Sequence, residues 1–178
     1  MDMFDIADKI RERRLAKGLS QQEVADGAGL TRSRLSIIEN SQADDLLFST
    51  LSNILRQLDI GLLLRASREG KRSFEDIQER DKARQASWFR SPDITDLSSR
   101  LRAARRARKM SQAVLAEIAD VSRVQVNRFE RGLADDIKIS TLSQMLEAAG
   151  LEIAMLEMGP GGPSYEDIRQ SDDEDPQP

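Results

Sequence analysis

The sequence predicts an all-α protein made of two copies of one small helical unit, each copy closing on a short strand. Three observations carry this. Shifting the 178-residue chain by 91 positions lays residues 2–81 on residues 93–172 without a gap, and 25 of 80 positions are then identical. Unrelated chains would share about five. Within each copy the apolar residues recur at three- and four-residue spacing, the period of a helix with one buried face. Aromatic residues are only 4% of the chain, so both cores have to be aliphatic.

Helix 1 is expected over residues 6–17 and again over 97–109, in segments rich in Ala, Leu, Arg and Lys. Ser20 and Ser111 are the expected N-caps of helix 2, whose apolar residues are Val24 and Ala25 in one copy and Leu115 and Ala116 in the other. A turn follows, Ala28-Gly29-Leu30 or Ala119-Asp120-Val121. Gly29 supplies the left-handed backbone such a turn needs, and Asp is a tolerable substitute. Thr31 and Ser122 then cap helix 3, which places Leu35 and Ile38, or Val126 and Phe129, on one face. Helix 4 is expected to be capped near Ser49 or Ser140 and carries Leu51, Ile54, Leu55 and Leu58, or Leu142, Met145 and Leu146. The apolar runs 60–64 and 151–155 read as strands.

These elements divide the chain into a first domain at 1–67, a partly helical linker at 68–92, a second domain at 93–158 and an acidic, disordered tail at 159–178. The linker helix is expected around residues 74–84. The net charge of −4 conceals an asymmetry. Residues 97–132 hold nine Lys/Arg against three Asp/Glu, whereas residues 159–178 hold six acids against one Arg. A basic segment followed by an acidic tail is more informative than the total.

Composition also narrows the function. There is no cysteine and no histidine, which removes disulfides, thiol nucleophiles, the usual base near neutral pH and the commonest zinc ligands. No metal, no cofactor and no enzymatic activity are expected. The opening residues lack the pattern of a secretory signal and no run is long enough to span a bilayer, so a cytoplasmic protein without a membrane partner is expected.

The stretch LSQQEVADGAGLTRSRLSIIEN, repeated as MSQAVLAEIADVSRVQVNRFERG, resembles the helix-turn-helix of the Cro and phage-repressor (XRE) family. Each copy is preceded by a basic helix and followed by S-T-L-x-x-x-L, and the final strand makes the pattern similar to HipB-type antitoxins. The resemblance implies two lambda-repressor-like domains that bind double-stranded DNA, with helix 3 in the major groove. Family members place two such units on a two-fold site as a homodimer. A duplicated chain can supply both units, so the expected arrangement is an intramolecular pseudo-dimer, its terminal strands paired, on a pseudo-palindromic site. Further dimerisation of the chain stays open.

With the apolar face of helix 3 turned inward, Arg32, Ser33, Ser36 and Ile37 face outward in the first copy, and Arg123, Val124, Asn127 and Arg128 in the second. These are the candidate base readers. Arg can bridge guanine O6 and N7, Asn suits adenine, and Val can meet a thymine methyl. Arg34 and Gln125 lie to the side, where they would touch phosphate. The resemblance adds Gln21 and Gln112 as phosphate clamps. It also pairs Arg14 with Glu39 and Arg105 with Glu130, as ion pairs that hold the fold. Arg100, Arg102, Arg106 and Arg108 either solvate helix 1 or contact phosphate.

Two features depart from the family pattern. Ile37 stands where a polar reader is usual, and the loop after helix 3 carries Asp44-Asp45 or Asp135-Asp136 in place of basic residues. Those acids are expected to cap helix 4 and to weaken DNA affinity. The leading expectation is a sequence-specific transcriptional regulator, a repressor that reads two unequal half-sites. The alternatives are an autoregulatory antitoxin that also binds a toxin, and an anti-activator that binds another regulatory protein and has lost DNA contacts.

Overall fold

The computed structural model describes residues 3–66, 88–89, 94–134 and 136–157. The expected linker helix at 74–84 and the acidic tail at 159–178 lie outside the described residues. The first repeat runs α1 (Met3–Ala16), α2 (Gln21–Ala28), α3 (Arg32–Glu39), α4 (Phe48–Gln57) and β1 (Ile60–Ala66). A two-residue strand, β2 (Trp88–Phe89), precedes α5 (Ile94–Ala107), α6 (Gln112–Ile118), α7 (Arg123–Glu130), α8 (Ile139–Ala148) and β3 (Leu151–Glu157).

The two cores are built from matching positions. Ile10, Leu35, Ile38 and Leu51 are fully buried in the first repeat, as are Leu101, Val126, Phe129 and Leu142 in the second. Volume is traded between neighbours, since Leu35 becomes the smaller Val126 while Ile38 becomes the larger Phe129. Exchanges that conserve total volume keep a core close-packed at little cost.

The turns are duplicated as strictly as the cores. Backbone with positive φ occurs at Gly18 and Lys109, Gly29 and Asp120, Ser41 and Gly132, and Asp59 and Gly150. Each pair lies 91 residues apart and contains one glycine. At three of the four sites the next N–H reaches back to close the helix end. Leu30 N–H donates to Ala25 O at 2.8 Å, and Val121 N–H donates to Ala116 O at 2.9 Å. This bond satisfies a carbonyl that the helix leaves unpaired. It requires the left-handed residue, which is why Asp120 adopts φ 51° where Gly29 adopts 71°.

The strands join the repeats. β1 and β3 pair antiparallel over seven residues, from Ile60 opposite Glu157 to Ala66 opposite Leu151, and β2 adds to the other edge of β1. At the centre Leu63 faces Ala154, its own counterpart 91 residues on. Leu47 likewise bridges its counterpart Lys138. Two elements that each pair a residue with its own repeat partner define a pseudo-two-fold relation between the repeats. On one face of the sheet Ile60, Leu62, Leu64 and Ile153 are buried, continuous with the cores beneath α4 and α8.

The expected caps of helix 4 are corrected. α4 starts after Leu47 and α8 after Lys138, and neither residue makes a side-chain cap. The opening turns are served across the pseudo-two-fold instead. Phe48 N–H donates to Ile137 O and Ile139 N–H donates to Leu46 O, both at 2.9 Å. The loop of each repeat therefore satisfies a helix donor of the other, so Ser49, Ser140 and the loop aspartates are not needed there. The short β2 was not foreseen in the segment read as linker.

Candidate nucleic-acid interface

The helix-turn-helix of each repeat is fixed by short polar contacts. Ser20 Oγ accepts from Glu23 N–H at 3.2 Å, and the Glu23 carboxylate accepts from Ser20 N–H at 2.8 Å. This reciprocal pair sets the start of α2, and its hydrogen bonds from Ser20 hold the Glu23 carboxyl below its ordinary pKa. In the second repeat the same device sits one helix later, where Ser122 and Gln125 cap α7. Thr31 caps α3 through Arg34 N–H, and Ser111 caps α6 through Val114 N–H.

Behind each α3-type helix lies a buried clamp. Arg14 donates from Nε to Glu39 Oε1 at 2.6 Å and from Nη2 to Oε2 at 2.9 Å, while its Nη1 donates to Leu19 O at 3.0 Å. Gln21 Nε2 adds a third donor to Glu39 at 2.8 Å. The second repeat copies the set, with Arg105 on Glu130 at 2.5 and 2.8 Å, on Met110 O at 2.7 Å, and Gln112 on Glu130 at 2.8 Å. Both carboxylate side chains are only 3% exposed. Burial pushes each carboxyl up, but the donors on it together outweigh burial and hold it below the ordinary value. The same hydrogen bonds raise the Arg14 and Arg105 pKa values further. One guanidinium thus ties the end of the first helix to the end of the third, and the amide at the start of the second completes the joint.

The exposed faces of α3 and α7 differ. On α3, Arg32 and Ser33 are exposed, Ile37 is 38% exposed and Ser36 is half-buried. On α7, Arg123, Val124 and Arg128 are exposed, whereas Asn127 is half-buried with its Nδ2 3.4 Å from Gln112 Oε1. Of the four side residues, Gln21 and Gln112 each donate one amide N–H to the clamps. Arg34 Nη2 donates to Asp45 at 2.8 Å, and Gln125 Oε1 accepts from Ser122 N–H at 2.9 Å.

The loop acids have a different role from the one expected. Asp45 pairs with Arg34 on α3, and Asp136 lies 3.7 Å from Arg128 on α7. The hydrogen bond from Arg34 holds the Asp45 carboxyl below its ordinary value, with a smaller contribution from Lys138 of the other repeat. Asp135 lies outside the described residues. Sequence reasoning missed these pairs because acid and base are 11 and 8 residues apart across a turn, a spacing with no helical signature. It also passed over Arg131, which lies beside the second clamp. Among the described residues no group of His, Cys, Asp or Glu is arranged to hold a metal, and no helix is long and apolar enough to cross a membrane.

The Helix-turn-helix family, of the Cro and phage-repressor (XRE) type, matches residues 10–64 and again residues 101–156. The chain belongs to this family. The two matches coincide with the two clamped units, and the family is one of DNA-binding transcription regulators. No match was found among the curated proteins or among the solved structures.

Proposed function

We propose that this helix-turn-helix protein is a sequence-specific repressor that reads two unequal half-sites, α3 on one and α7 on the other, as an intramolecular pseudo-dimer. The observation that carries the proposal is the paired register of Leu63 with Ala154 and of Leu47 with Lys138. It relates the two units as a homodimer relates its subunits, the arrangement that places two such helices in successive major grooves about 34 Å apart. The half-sites are unequal because the helices present different chemistry. Arg123, Val124 and Arg128 offer a guanine fork, a methyl contact and a second fork, against Arg32, Ser33 and the apolar Ile37 on α3. Asn127 and Ser36 read from the half-buried side, and Gln21, Arg34, Gln112 and Gln125 serve the flanking phosphates. Occupying a promoter with this footprint represses by exclusion.

Selection of binding sites from random duplexes tests the proposal, and a bipartite, asymmetric site is the expected product. Arg128→Ala then costs about 1–3 kcal/mol at one base pair and relaxes preference there. Equal loss on every sequence would show that Arg128 meets only phosphate. A second reading, an anti-activator that binds protein through the first repeat, is favoured by the Arg34–Asp45 pair and by Ile37. A selected site with only one half conserved in sequence supports that reading.

A further inference from the structure

β1 and β3 each have one edge turned away from the other, and the pseudo-two-fold makes those two edges equivalent. On β1 the edge is filled by β2, with Phe89 opposite Leu62 and Trp88 opposite Leu63. The equivalent positions on β3 are Ile153 and Ala154, and among the described residues no strand pairs with that edge. Every second residue of β3 turns its N–H and C=O away from β1. These groups form a row of donors and acceptors that another strand can complete.

An open edge is ordinarily blunted by shortness, a bulge, proline or lysine. β3 has none of these. It runs seven residues, its register against β1 is unbroken, and its sequence LEIAMLE holds neither proline nor lysine. The two charges, Glu152 and Glu157, stand towards its ends and leave residues 153–156 apolar. Glu157 is neutralised by Lys9 at 3.1 Å and by Arg13 at 2.6 Å.

We infer that the free edge of β3 binds the same edge of a second copy of this chain, antiparallel and centred on Ala154, joining two three-stranded sheets into one of six strands. A two-fold contact requires that residue i meet j while j meets i. Centring on Ala154, the middle of the strand, pairs all seven residues. It sets Ile153 opposite Met155, Glu152 opposite Leu156 and Glu157 opposite Leu151, so no carboxylate faces another. A slip of one residue would set Glu152 against Glu157, and like charges directly opposite are destabilising. The slip would also turn the core side of one copy to the outer side of the other. The chain already uses this geometry once, where β1 pairs antiparallel with its own repeat counterpart about Leu63 and Ala154. The assembly carries four helix-turn-helix units, hence two bipartite reading surfaces, which goes beyond the single-chain repressor proposed above.

The test uses the intact chain without DNA, so it is independent of the DNA-reading proposal. Sedimentation over a concentration series should show the wild type passing reversibly from the 20.0 kDa chain to twice that mass. Hydrogen exchange should show the outward amides of β3 gaining protection over the same range. Ala154→Lys and Ala154→Glu each place two like charges opposite one another at the centre of the contact. Each should weaken association about fivefold while circular dichroism shows the helices retained. An equal mixture of the two variants should associate again, because opposite charges then meet. A wild type that stays at the mass of one chain overturns the inference. Exchange then tells what holds the edge instead. Outward amides protected at every concentration assign it to the chain's own residues outside the described ones, and unprotected amides leave it open to a different protein. Variants that associate as strongly as the wild type, or a mixture no stronger than either variant alone, overturn it as well.

Discussion

Arg105→Met removes from Glu130 its countercharge and two hydrogen bonds, at 2.5 and 2.8 Å, and leaves Gln112 as the remaining donor. The Glu130 side chain is 3% exposed, so water cannot take the place of the guanidinium. The Met110 carbonyl loses its donor as well. Removing one partner of a buried pair costs about 3–5 kcal/mol, because the remaining charge is desolvated without compensation. Against a total stability of about 5–15 kcal/mol this is a large fraction. The loss also has a sign in pH. In the wild type the Glu130 carboxyl is held below its ordinary value of 4.5. Its contribution is therefore present above that value and is lost as pH falls through the lower, folded one. In the variant, burial without a countercharge raises the folded pKa, so destabilisation grows as pH rises through it. The wild-type contribution is already present at both pH 5 and pH 7.5, so it is the raised pKa of the variant that makes the gap between the proteins wider near pH 7.5 than near pH 5. Urea unfolding followed by far-ultraviolet circular dichroism at the two pH values measures it. A loss below about 1 kcal/mol at neutral pH, the size of an exposed pair, refutes the buried-charge argument. So does a loss that ignores pH. Adding Glu130→Leu to Arg105→Met should restore most of the stability, since an apolar pair of similar volume carries no desolvation cost.

Three further outcomes follow from the geometry. Lys109 holds φ 54° where its counterpart is Gly18, so Lys109→Gly should stabilise the chain by about 0.5–1 kcal/mol, and thermal unfolding should show it. Leu64, 6% exposed on β1 opposite Ile153, cannot become Asp without placing a charge in the shared sheet. Leu64→Asp should reduce binding of the bipartite site more than it reduces helix content, and wild-type repeats that tumble independently by NMR relaxation would contradict the shared sheet itself. Asp45→Asn with Asp136→Asn frees Arg34 and Arg128 from their loop acids. Non-specific DNA affinity at low salt should rise several-fold and the difference should fade as screening sets in, and an unchanged affinity would mean that these pairs do not compete with phosphate.

The repeat, the helices and the left-handed turns at Gly29 and Asp120 were legible in the sequence, because each is a local pattern or is written twice, whereas the Arg–Glu clamps, 25 residues apart, came from the family resemblance. The starts of α4 and α8 were not. Ser49 and Ser140 have the right chemistry for a cap, but Phe48 and Ile139 already have acceptors in the opposite repeat, and no local rule registers an acceptor 89 or more residues away. The same holds for β2, since two residues carry too little periodicity to announce a strand.

Sequence by itself determined what is local, namely which residues are helical, which face of each helix is apolar and which residues stand outward on α3 and α7. Those properties follow from the 3.6-residue period and from capping chemistry, which act within a few residues. Only the tertiary structure decided what the outward residues meet. It turned Asn127 towards Gln112, tied Arg34 to Asp45, brought Arg131 beside the second clamp, and set Leu63 against Ala154 at the pseudo-two-fold. Each of these depends on the angle at which one helix or strand crosses another, and that angle is fixed by how the buried side chains of both elements fill their common core.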